Sequence, residues 1–147
     1  MADTLNYRKS FLLAEDDEDF LMIMKLALED TGFAGRLDLV RDYRSLLGYL
    51  QQKEEPRLII LDLKNKPEDW RTALRGLKTH HLYKSIPVVV LTASDDQEDI
   101  DLCKRYRRCS IIQKPSTFTD WRTCMKNLVR TRLPDKPESG RNIDLGP

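Results

Sequence analysis

The sequence predicts an α/β domain whose parallel sheet is covered by helices on both faces. Three observations carry that expectation. Short apolar runs recur along the chain, the fullest being Leu58-Ile59-Ile60-Leu61, and each stops at a polar or charged residue. A continuous apolar run of that length suits a strand buried on both faces. Between the runs, apolar residues fall at helical spacing, giving five strand–helix units in succession. Such alternation implies parallel strands joined by crossover helices. The 147 residues suit one domain with a proper core, and no internal repeat or second domain is evident.

Residues 1–8 read as a loose lead-in, and the first strand covers about 9–14. The first helix sets Phe20, Ile23, Met24, Ala27 and Leu28 on one face and stops near Gly32. Residues 36–40 alternate as a second strand. Asp42 is placed to cap a second helix with Leu46, Leu47 and Leu50 inward. The third strand is 58–62. Pro67 then opens a third helix, with Glu68 and Asp69 in its first turn and Trp70, Ala73, Leu74 and Leu77 as its apolar face. Residues 79–87 form a loop and 88–91 a fourth strand. Ser94 with Gln97 has the capping-box spacing for a fourth helix, whose thin stripe (Ile100, Cys103, Tyr106) predicts an exposed element. The fifth strand is about 109–113. The last helix turns Phe118, Trp121, Met125, Leu128 and Val129 inward, and the polar, proline-containing stretch 134–147 reads as a disordered tail.

Charge is nearly balanced, at a formal net of +1, so nothing drives the whole chain toward nucleic acid or membrane. No apolar run approaches a membrane span and the first residues lack a signal-peptide core, so a cytoplasmic protein is expected. Cys103, Cys109 and Cys124 lack metal-ligand spacing and read as reduced packing residues. His80 and His81 read as surface loop residues.

Parallel strands bring their C-terminal ends to one edge of the sheet, where open α/β proteins place their chemistry. There the first strand runs into Glu15-Asp16-Asp17, the third into Asp62, the fourth into Thr92 and the fifth into Lys114-Pro115. Each motif alone is weak: an acidic run at a helix start is often only a cap, and a lysine after a strand is often solvated. Together and in order they resemble the receiver domain of response regulators over about residues 9–133. The stretch Ser85–Ser94 and the later Glu98-Asp99-Ile100 are similar to single-domain regulators that accompany bacterial phytochromes.

The resemblance implies a flavodoxin-like (βα)5 fold with strand order 2-1-3-4-5. It implies that Asp62 is a phosphoacceptor supplied by a histidine kinase, here a phytochrome-type sensor. It also implies a bound Mg²⁺, with Asp16 as direct ligand, Glu15 acting mainly through water, Asp62 as a further oxygen and the Lys64 backbone carbonyl as another. Thr92 and Lys114 would contact the phosphoryl group, and Lys114–Pro115 would be a cis peptide. Hard oxygen ligands with several retained waters are what Mg²⁺ prefers.

The chain departs from the family pattern in places. Lys64 stands where a polar residue is usual, Trp70 where glycine is usual, and the proline after Asp62 comes one place late. Lys64 and Ser94 are expected to flank the phosphoryl group and set its lifetime. Ile111 replaces the usual aromatic three residues before the lysine, which removes the aromatic swing; Tyr106 is not a substitute for it. Residues 101–133 carry nine Lys/Arg against two acids, a net of +7. That basic helix-four/helix-five region reads as a solvated face, or as an interface for an acidic partner or a second copy. Direct DNA binding is not expected, because no helix-turn-helix segment is evident.

The leading reading is therefore a stand-alone signalling module whose output is protein binding, with no small-molecule turnover. The alternative is a phosphorylation-independent pseudo-receiver acting in interaction or dimerisation. A hydrolase with an aspartyl-phosphate intermediate would need a second Asp two residues after the first, and position 64 is Lys.

Overall fold

Five strands and five helices alternate along the chain in the computed structural model, which describes residues 10–62, 69–93 and 95–130. The elements are β1 (Phe11–Glu15), α1 (Glu18–Glu29), β2 (Leu37–Val40), α2 (Tyr43–Gln52), β3 (Leu58–Asp62), α3 (Asp69–Thr79), β4 (Val88–Thr92), α4 (Gln97–Lys104), β5 (Cys109–Gln113) and α5 (Phe118–Arg130). The strands form one sheet in the order β2-β1-β3-β4-β5, and every pairing is parallel. The fold class and strand order are those expected from the sequence. The lead-in, the tail, Lys64, Ser94 and the helix opening at Pro67 and Glu68 lie outside the described residues.

Successive strand residues point to opposite faces, and this divides the core in two. Leu12, Ala14, Ile59, Leu61, Val88, Val90 and Ile111 pack with α2, α3 and α4. Phe11, Leu13, Leu58, Ile60, Val89 and Leu91 pack with α1 and α5. Each layer holds one of the two tryptophans, Trp70 with α2–α4 and Trp121 with α1 and α5. The α2–α3 contact is close: a Cβ on Gly76 would fall 1.8 Å from the Tyr43 hydroxyl, so glycine is what lets the two helices meet there.

Helix ends follow simple capping. Asp17 accepts from the Asp19 N–H, and Asp42 from the Ser45 N–H as expected. Gly32, at φ +78, takes the left-handed conformation after α1, which ends at Glu29. Ser94 of the expected capping box lies outside the described residues, and Gln97 is the first residue of α4. The N-cap of α4 is Asp96, immediately before the helix, its carboxylate accepting from the Glu98 N–H.

Two burial expectations need correcting. Phe118 is 46% exposed: as the first residue of α5 it projects beyond the layer that Trp121, Met125 and Leu128 fill. Conversely, α4 is better anchored than its thin stripe suggested. Leu102 and Cys103 are buried, and so is Asp99, whose carboxylate takes two hydrogen bonds of 2.7 Å from the Arg71 guanidinium on α3. Arg71 also lies over the Trp70 ring, 4.8 Å from its centroid. Tyr106 falls in the turn after α4, since the helix ends at Lys104.

Lys78 is a second buried charge. Its ammonium donates to the carbonyls of Ile86 (2.8 Å), Lys84 (3.2 Å) and Arg108 (3.2 Å), holding the 79–87 loop against the start of β5. Burial draws this ammonium down to about 8.

Removing one partner of a buried ion pair strands the other. Arg71→Met should therefore cost about 3 kcal/mol in urea unfolding. Adding Asp99→Ala to it should recover part of that loss, so the double variant should be less destabilised than the sum of the single changes.

Candidate functional site

The site is built where β1 and β3 end side by side. Parallel register pairs Glu15 directly with Asp62, and both carboxylates are buried, at 1% and 0% exposure. β4 ends at the buried Thr92. Just past β5, the Lys114 N–H donates to the Thr92 carbonyl at 2.7 Å, which continues the β4–β5 pairing and aims the lysine inward. Its ammonium lies 2.6 Å from Asp62 Oδ2 and 3.7 Å from Glu15 Oε2. The structure thus gathers Glu15, Asp62, Thr92 and Lys114 at one sheet edge. Asp16, one residue beyond β1, is exposed. The Lys64 carbonyl and Ser94 lie outside the described residues.

The Lys114–Pro115 peptide is not cis; no cis bond occurs among the described residues. The trans form is the lower-energy one by about 0.5–1 kcal/mol even before proline, and the lysine reaches Asp62 without it. One further residue belongs to the site. The Phe20 ring lies 3.6 Å below the Lys114 ammonium, a cation–π contact, and Trp121 stands 6.3 Å from it between centroids. Sequence reading assigned Phe20 to the core face of α1. Its place on the first turn after Glu15-Asp16-Asp17 is the signal that could have placed it at the pocket.

Two buried carboxylates facing one ammonium leave negative charge in excess. Glu15 Oε1 accepts from the Asp17 N–H at 3.0 Å. Glu15 Oε2 and both oxygens of Asp62 have no aligned hydrogen-bond donor among the described residues. The Lys114–Asp62 contact is close in distance but off the hydrogen-bond direction. Burial, and then the neighbouring Asp62 carboxylate, push the Glu15 carboxyl up from its ordinary 4.5 to about 9. Buried oxygens without donors are what a hard divalent cation satisfies, so the donor set fits Mg²⁺. Among the described residues no three His, Cys, Asp or Glu side chains stand close enough to hold a metal by themselves. Water and backbone oxygen would have to complete such a site.

Away from this edge, His80 stacks on Tyr83 at 4.2 Å and on His81 at 5.2 Å, and its Nδ1 accepts from the Leu82 N–H. No helix among the described residues is long and apolar enough to cross a membrane. Within the basic region, Arg122 on α5 is paired with Asp30 at the end of α1 at 2.6 Å.

Comparison with known proteins agrees with this geometry. The family model of the response regulator receiver domain matches residues 11–126. The probable methanogenesis regulatory protein FilR2 of Methanothrix harundinacea (strain 6Ac) is 32% identical over 122 residues, 80% of this chain and 79% of its own length. Response regulator Rcp1 of Synechocystis is 34% identical over 106 residues, 68% of this chain and 72% of its own. Among solved structures, the phosphorylated cyanobacterial phytochrome response regulator RcpA superposes with a TM-score of 0.69 at 30% identity, over 86% of this chain and 99% of that one. The Mn²⁺-bound form of Rcp1 gives 0.70 at 27% identity, over 85% and 98%.

A carboxyl whose folded pKa is raised costs stability as pH climbs from its ordinary value toward the raised one. In chelator, Glu15→Gln should therefore be more stable than the parent, and the gap should widen from about pH 4.5 to 9. At pH 8 it should reach on the order of 1–3 kcal/mol. Saturating Mg²⁺ should narrow it, because the cation stabilises only a chain with both carboxylates. Urea unfolding across pH, with and without Mg²⁺, measures both effects.

Proposed function

Because the chain belongs to the response regulator receiver family, we propose that it is a two-component signalling protein in which Asp62 accepts a phosphoryl group from a partner histidine kinase. The observation that carries this reading is the fully buried Asp62 carboxylate at the end of β3, with the Lys114 ammonium 2.6 Å away and no aligned donor on either oxygen. An Asp62 oxygen forms the new bond to phosphorus as the P–N bond of the kinase phosphohistidine breaks, and the departing imidazole takes up a proton.

Lys114 offsets charge on the phosphoryl oxygens, and Thr92 at the end of β4 supplies a hydroxyl to one of them. Phe20 holds the lysine from below. Glu15, Asp16, Asp62 and the Lys64 carbonyl would hold Mg²⁺, which when bound neutralises charge on the transferring group. Lys64 and Ser94, which lie outside the described residues, are proposed to set how fast water removes the phosphoryl group.

The relatives described by name as phytochrome response regulators make a phytochrome-type kinase the first partner to test. Output through protein binding, to an acidic partner or a second copy, uses the basic α4–β5–α5 region. Ile111 is 3% exposed and packed in the α2–α4 layer. Its aliphatic side chain in place of the usual aromatic, not its burial, favours the second reading, a module that binds partners without phosphorylation. In the first reading it means that the signal passes from Thr92 into α4 without an aromatic swing.

Incubation with a small phosphodonor, followed by intact mass, separates the two. The parent should gain one phosphate only with Mg²⁺ present, and Asp62→Asn should gain none. Lys114→Ala should slow the gain at least tenfold, equivalent to about 1.4 kcal/mol in the barrier. A parent chain that gains no phosphate and binds no beryllofluoride would leave the phosphorylation-independent module.

A further inference from the structure

Opposite the acidic edge, where the parallel strands begin, two turns are joined: residues 79–87 before β4 and residues 105–108 before β5. The Lys78 ammonium, near the end of α3, donates to carbonyls of both, Lys84 and Ile86 in the first and Arg108 in the second. The Arg108 guanidinium donates to the Ser85 carbonyl at 3.1 Å, and the Val88 N–H to the Arg108 carbonyl at 2.9 Å. The first turn is also fixed from within. The Tyr83 and Lys84 N–H groups donate to the His80 carbonyl, and the Leu82 N–H to His80 Nδ1.

These turns gather charge of one sign. Residues 78–87 and 102–112 hold Lys78, Lys84, Lys104, Arg105, Arg107 and Arg108, and no Asp or Glu. Lys84, Arg105 and Arg107 are exposed, and among the described residues no carboxylate pairs with them. Elsewhere, Arg36, Arg41, Arg71 and Arg122 each have a carboxylate partner. Like charges repel, so a fold that pins two cationic turns together and leaves them unpaired presents a surface complementary to negative charge. Leu82, 63% exposed, adds an apolar side chain to the first turn. Tyr83 and Tyr106 pack from the two turns onto the α2–α4 layer.

We propose that the turns before β4 and β5 form a docking surface for an acidic segment of a partner protein, with Lys84, Arg105 and Arg107 meeting its carboxylates and Leu82 an apolar side chain.

A compact phosphate is a poorer match. Helices α3 and α4 end here, at Thr79 and Lys104, so they offer carbonyls and the negative ends of their dipoles. The backbone N–H groups that grip phosphate belong to helix starts, at the other edge. Charge spread along a chain, met by long side chains reaching outward, suits this surface better. A nucleic-acid strand would need free ring faces, whereas His80, His81 and Tyr83 stack on one another. The surface lies at the opposite edge from Asp62 and needs no phosphoryl transfer, so this reading and the proposed function stand or fall separately.

The test is fluorescence anisotropy with the full-length chain. The probe is a fluorescein-labelled glutamate-rich peptide carrying one leucine, beside the same peptide with serine in place of leucine. The leucine peptide should bind saturably, and more weakly as salt rises from about 50 to 200 mM. Arg105→Glu with Arg107→Glu should weaken it by at least about tenfold, whereas Lys126→Glu on α5 should change it by less than about twofold. Leu82→Ser should weaken the leucine peptide and leave the serine peptide unchanged. Melting curves check that the variants fold. If the double variant does not fold, Lys84→Glu on the other turn takes its place. Any of four results would overturn the proposal: no saturable binding, an equal loss in Lys126→Glu, a Leu82→Ser effect indifferent to the leucine of the peptide, or tighter binding of phosphatidylserine vesicles or a single-stranded oligonucleotide.

Discussion

Two carboxylates and one ammonium are held out of water at the edge of the sheet, and the surrounding structure is arranged around that constraint. Parallel pairing of β1 with β3 brings Glu15 and Asp62 to the same level. Neither can retreat to solvent, since both end strands buried on two faces. Lys114 is delivered from the far side by β5, through its backbone bond to Thr92, and its ammonium rests on the Phe20 ring. The resulting imbalance, two potential negative charges against one positive, leaves buried oxygens whose chemical complement is a hard cation. A folded chain accepts such a cost where function requires it.

Most of the fold was legible because it rests on short-range chemistry. Strand β3 announces itself by four apolar residues before a carboxylate, and α2 by Asp42 at its cap and leucines at helical spacing. The sheet-edge residues were legible for the same reason: parallel strands carry the residues at their C-terminal ends to a common edge, where those residues must meet. The features that escaped the sequence depend on contacts between elements distant in the chain. Asp99 looks like a first-turn acid on an exposed helix until α3 brings Arg71 against it, 28 residues away. Lys78 looks like a solvated residue until three carbonyls close around it. Phe20 satisfied the apolar periodicity of α1 and does pack against the core, but periodicity cannot say that a ring at the end of the stripe also meets an ammonium.

Helix α4 shows how local and distant effects combine. It is eight residues long, capped by Asp96, and holds Leu102 and Cys103 in the core. A helix this short gains little from its own hydrogen bonds, so its position is set by what grips it from outside: Arg71 near its start and the core layer that takes Leu102 and Cys103 at its end. It leads directly from the strand that ends at Thr92. An element of that kind is suited to report a change at the sheet edge, because few contacts need to be exchanged for it to shift.

The division of the core into two layers, with one tryptophan in each, has an optical consequence. Trp70 and Trp121 are both nearly excluded from water, at 5% and 2% exposure, yet the sheet separates them. Trp70 carries a guanidinium on its ring, whereas Trp121 neighbours the phenyl group that lies beneath Lys114. The emission of the chain is thus the sum of two chromophores reporting on different halves of the molecule. Replacing either one with phenylalanine leaves a single intrinsic dye: Trp121 stands one ring, Phe20, from the Lys114 ammonium, and Trp70 beside the grip on α4.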